Sequence, residues 1–266
     1  MKNFNKNKKI YIAFLVLLFL SYFVDNINAN NTSEIHDTHL MQKNNKFSND
    51  EFINAISNND LSNIIKFLDA GFDVNIVNSN GWTPIYYAIA NNLMDIAELL
   101  IKKGANVNVK SKDNYTPLHL AASKGHVEMI KLLLDKGGDP NIKILSGNWF
   151  GMTPLHIAAT IGYTDIAKIL IEKGADITCF IPTGEWKGMT PLHLSAAKGF
   201  KEIVKILIDK GAYVDSKTKE QDSSGWTPLH YAAYNGHNEI IKMLIFNGAD
   251  IDAKILTKEG KKNTPI

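Results

Sequence analysis

Residues 116–141 read TPLHLAASKGHVEMIKLLLDKGGDPN, and this stretch decides the fold. Threonine before proline suits a helix start. The threonine hydroxyl can cap open backbone amides, and proline at the first helical position has no amide to lose. A short alanine-bearing segment follows, Leu118 to Lys124, in which small side chains let a neighbouring helix come close. After Gly125, the apolar residues Val127, Ile130, Leu133 and Leu134 recur at helical spacing. Gly137 can then take the left-handed conformation that ends a helix. One such helix pair cannot bury its own apolar face, but stacked copies bury it against each other.

Copies are present on both sides. Thr-Pro recurs at Thr83, Thr116, Thr153, Thr190, Thr227 and Thr264, at intervals of 33, 37, 37, 37 and 37 residues. Four copies read TPLH and the first reads TPIY. The second helix of each unit runs into Gly104, Gly137, Gly174, Gly211 or Gly248. A degenerate unit at 49–75 lacks Thr-Pro but keeps the helix pattern, and its asparagines suit an end that faces water. Period and TPLHxA signature together resemble the ankyrin repeat, across 49–252. The resemblance implies an all-α repeat solenoid of helix-turn-helix units with β-hairpin fingers. The units are 49–75, 76–108, 109–141, 142–178, 179–215 and 216–252, and 253–266 begins an incomplete seventh. An array normally ends in a water-tolerant unit. Stopping at Ile266 therefore implies a fragment, a gene cut short, or an end covered by a partner. Ile240, Ile241, Leu244 and Ile245 would otherwise lose part of their cover.

The longer intervals locate an insertion. From Gly104 to Thr116 is 12 residues, whereas Gly137 to Thr153 and its later counterparts each span 16. The four added residues lie in the fingers, and in solenoids such additions map to one face, often the binding face. Trp149 and Trp186 occupy equivalent finger positions, with Phe150 and Phe180 nearby. They form either a partner-contacting aromatic ridge, since tryptophan is favoured at interface hot spots, or a packing device between neighbouring fingers. The resemblance also implies partner contacts on the concave face of the first helices. The variable positions there are Asn91, Lys124, Ile161, Lys198, Tyr234 and Asn235.

Catalytic patterns are lacking. His119, His156, His193 and His230 form a row at one repeat position. Stacked helices lie ~8–10 Å apart, too far for successive imidazoles to reach one metal at ~2.0–2.1 Å. In the ankyrin family this histidine is structural. Cys179 is the sole cysteine, so no internal disulfide or cysteine zinc cluster can form. No cofactor motif is present. Glu128, Asp165, Glu202 and Glu239 recur at second-helix starts, where a carboxylate favours the helix dipole. The sequence therefore predicts a non-enzymatic protein-binding module.

All 29 basic residues are lysine, so the arginine fork that reads phosphate and guanine is missing. Lys2, Lys6, Lys8 and Lys9 precede an apolar run, 10–24, which is 15 residues long. A spanning helix needs ~20 residues, so this run suits a signal peptide cut after Ala29. The alternative is a single-pass membrane anchor. Without residues 1–29 the chain holds 25 lysines and 26 acidic residues, with no electrostatic footprint for nucleic acid. Residues 30–48 read as a flexible polar linker. Signal, repeats and lysine-rich composition resemble exported ankyrin proteins of intracellular bacteria, which act on host proteins. A membrane-tethered scaffold and the recognition part of a larger enzyme or toxin are the alternatives.

Overall fold

The computed structural model describes residues 48–184, 186–218, 225–256 and 262–265. The expected signal or anchor and nearly all of the linker lie outside the described residues. Among them are twelve α-helices in pairs. The pairs are α1 (Asn49–Ser57) with α2 (Leu61–Asp69), α3 (Pro84–Ala90) with α4 (Met94–Lys102), and α5 (Pro117–Lys124) with α6 (Val127–Asp135). They continue with α7 (Pro154–Ile161) and α8 (Thr164–Glu172), α9 (Pro191–Lys198) and α10 (Lys201–Asp209), and α11 (Pro228–Asn235) and α12 (Asn238–Phe246). This is the all-α repeat solenoid expected.

First helices pack on the first helices of adjacent units, and from α6 onward second helices pack on second helices. The first helices carry small and apolar residues on nearly every side and are almost wholly buried, as from Pro117 to Ser123. The second helices bury one stripe only, such as Met129, Ile130, Leu133 and Leu134 of α6. Burying a Leu or Ile side chain is worth about 1.5–3 kcal/mol, so each interface between units is strongly apolar.

The amino-terminal unit replaces Thr-Pro with another start. Ser48 and Glu51 cap each other's backbone amides. Phe52, Phe67 and Phe72 then close a three-ring cluster with centroids 4.9–5.5 Å apart. At the other end the expected loss of cover is partial. Ile240 and Leu244 are buried against their own unit and α10, Ile241 is half-buried, and Ile245 is exposed. Phe246, on the outer stripe, is 89% exposed.

Two devices join units. The side chains of Asn75, Asn108 and Asn141 each reach the next unit, donating to the carbonyl of Gly104, Gly137 or Gly174. Each also accepts the amide of Asn106, Asp139 or Asp176. Thr178, at the next equivalent position, bonds only to its own Asp176. The second device is an aromatic ring seated on a glycine. Gly162 ends α7 with φ +97°, and a Cβ there would lie 2.5 Å from the Phe200 ring of the following unit.

The fingers are closed by backbone bonds. In the first two, the amides of Asn78 and Ser111 donate to the carbonyls of Trp82 and Tyr115, four residues on. In the next three, Ile144, Ile181 and Thr218 donate to Met152, Met189 and Trp226, eight residues on. The four added residues thus sit wholly inside the loop that this bond closes. Only the last described finger forms paired strands, β1 (Ile255–Leu256) with β2 (Lys262–Asn263). Among the described residues of the other long fingers no paired strands form, and a return bond from the amide of Gly151, Gly188 or Gly225 to the carbonyl of Ile144, Ile181 or Thr218 completes the closure.

Candidate protein-binding site

The expected contacts fall on two adjoining strips, the finger tips and the ends of the first helices. Neighbouring fingers are held together differently along the row. The amide of Lys112 donates to the carbonyl of Asn80, and that of Leu145 to the carbonyl of Asp113. Ser146 adds a hydroxyl bond to the Asp113 carboxylate at 2.6 Å, and Asn114 donates to the Lys143 carbonyl at 2.6 Å. At the next finger the equivalent of Leu145 is Pro182, which has no amide to donate. There Pro182 packs on Gly151, whose φ is +82° and where any Cβ would collide with the proline ring.

Beside that contact the indoles of Trp149 and Trp186 meet, with centroids 6.3 Å apart and planes tilted by 56°. Both are half-buried. The tryptophans therefore do the packing between fingers, and each keeps part of its surface open. Phe180 is 46% exposed, with the Lys143 ammonium 5.9 Å from its centroid, a cation–π distance. Phe150 is half-buried. The sequence reading missed Leu145, which is 58% exposed on the same strip. Its sequence signal is an apolar residue inside an inserted loop.

The first-helix strip is uneven. Asn91 and Asn235 fold their amides back to the carbonyls of Tyr87 and Tyr231 one turn earlier on their own helices. One N–H of each amide is thereby engaged. Lys124, Ile161 and Lys198 occupy the same position in three consecutive units and are half-buried. Burial lowers the pKa of both lysines from the ordinary ammonium value. Tyr234 is exposed and stands edge-on to Trp226, with centroids 5.4 Å apart.

The histidine row lies beneath these strips. Thr116 donates its amide to Nδ1 of His119 at 3.2 Å, so that nitrogen is an acceptor and the proton resides on Nε2. Nε2 then donates to the Met152 carbonyl in the next unit at 3.3 Å. His193 repeats the pattern, with Nε2 2.9 Å from the Ser216 carbonyl and 3.2 Å from that of Trp226. Burial lowers the pKa of His119, His156 and His193 to about 4. Of these, His119 and His193 are neutral struts between a helix start and the following finger, while Nε2 of His156 is buried with no hydrogen-bond partner among the described residues. In the 76–108 unit Tyr86 takes the same position and aims its hydroxyl at the carbonyls of Tyr115 and Val109, at 2.5 and 3.0 Å. Cys179 is buried, and that burial raises its thiol above the ordinary pKa.

No helix among the described residues is long and apolar enough to cross a membrane. No curated protein matches the chain. A model of three consecutive ankyrin repeats matches residues 52–144 and again 179–255, and a single ankyrin-repeat model matches 150–180. Those stretches cover most of the chain, and within them lie the Thr-Pro helix starts, the paired helices and the lateral fingers, so the chain belongs to the ankyrin-repeat family.

Proposed function

We propose that this protein is a binding module without chemistry of its own, holding a protein partner on its finger tips and first-helix strip. Ankyrin repeats generally mediate protein–protein interaction. One observation carries the reading here: exposed apolar groups, Leu145 and Phe180, share a strip with the half-buried pair Trp149 and Trp186. A cluster of aromatic and aliphatic anchors at the edge of a rigid array is the usual chemistry of an interface hot spot. The lysine-rich start and the apolar run 10–24 support export, with a host or envelope protein as partner and no nucleic acid. Membrane tethering is the second reading, favoured by the hydrophobicity of that run, and amino-terminal sequencing of the mature protein separates the two.

The double substitution Trp149→Ala and Trp186→Ala tests the interface. Because the indoles also pack on each other, it should cost stability, by about 0.5–1.5 kcal/mol for the ring pair beyond the area lost. Partner capture should fall by more than the change in folded fraction accounts for. Unchanged capture by folded protein would remove the finger tips from the interface.

A further inference from the structure

The first helices α3, α5, α7, α9 and α11 carry two charged residues only, Lys124 and Lys198, and no acid. Each stands at the last position of its helix. Between them, at the same position of the intervening unit, stands Ile161. All three are half-buried.

Acids are placed elsewhere. The second helices hold Glu128, Asp135 and Glu239, which pair with Lys131, Lys173 and Lys242 at 2.7–3.1 Å. No carboxylate among the described residues pairs with Lys124 or Lys198. The finger segments 76–82, 109–115, 142–152, 179–189, 216–226 and 253–263 lean the same way, with ten lysines against five acidic residues. The fingers and first helices are thus positive in a chain that is near neutral once residues 1–29 are set aside.

A helix dipole alone favours a cation at these ends. Yet Asn91, Ile161 and Asn235 close the same turn of equivalent helices without a charge. The two lysines are therefore not required by the fold. Each holds a half-buried ammonium with no carboxylate among the described residues paired to it, and a carboxylate brought by a partner would replace the lost hydration.

We propose that the partner presents two carboxylates, one opposite Lys124 and one opposite Lys198, with an apolar side chain between them over Ile161. This rests on the protein-binding reading above. Two helix spacings put the cations ~16–20 Å apart. An extended segment rising ~3.3 Å per residue spans that distance in about five or six residues, with the apolar group midway.

The test is selection from a random peptide display library against the full chain. The wild type should enrich sequences with two acidic residues about five or six apart and an aliphatic or aromatic residue between them. A selected peptide should then bind the Lys124→Gln, Lys198→Gln double variant at least about tenfold more weakly. Glutamine keeps much of the lysine stem, and circular dichroism checks that the helices remain. Enriched peptides without acids, or equal affinity for the variant, overturn the proposal while leaving the protein-binding reading intact if Trp149→Ala or Trp186→Ala still weakens binding. Failure to enrich any peptide on the wild type counts against both.

Discussion

At the residue scale, the histidine row controls how the protein responds to acid. In the unfolded chain a histidine titrates near 6.5. Buried in the array, His119, His156 and His193 titrate at about 4. The unfolded state therefore binds more protons between these values. Stability contributed by the neutral rings is fully present above pH 6.5, falls as the pH drops toward 4, and levels off below that. Each such group can contribute a slope of up to about 1.4 kcal/mol per pH unit within the window. Urea unfolding midpoints measured from pH 7.5 to 4 should fall steeply below 6.5. His193→Gln should be less stable at neutral pH, yet should lose less on acidification. An acid slope as steep as the wild type's would mean that His193 is not a buried neutral group.

At the element scale, the turn between the helices of a pair is also a joint between units. Gly162 needs a positive φ, and its missing side chain makes room for Phe200. Gly211 also has a positive φ, +90°, but an added Cβ there meets nothing within 4 Å. Alanine at Gly211 should therefore cost only backbone strain, about 1–2 kcal/mol. Alanine at Gly162 should cost about 1–3 kcal/mol more, because a packed ring must move. Thermal or urea denaturation of the two variants gives the difference directly. Equal losses would show that Phe200 swings aside freely. The helices and their ends were readable from sequence, because periodicity and capping residues are local. The seat of Phe200 on Gly162 was not, because the two belong to different units and meet only after stacking.

At the scale of the whole molecule, stability of a repeat array is close to a sum of unit and interface contributions. The asparagine ladder supplies two bonds at each of three successive junctions and breaks at Thr178. Replacing Thr178 by Asn should extend it to the carbonyl of Gly211 and the amide of Tyr213, the equivalents of Gly174 and Asp176. At about 1 kcal/mol for a typical bond, Thr178→Asn should raise the unfolding midpoint. It should also slow amide exchange around α9 and α10. A lower midpoint would mean that the junction there has a different offset. The sequence by itself determined the unit, its number of copies and the placing of four extra residues inside successive fingers, since all of these follow from spacing along the chain. Of the proposed contact strip it supplied the residues but not their condition. Only the tertiary structure decided that Trp149 and Trp186 spend part of their surfaces on each other, that Asn91 and Asn235 bond back to their own helices, and that Leu145 stands exposed. The reason is that finger-to-finger contacts depend on the lateral offset between stacked units. That offset is set by how helix pairs pack, and it is written in no single repeat.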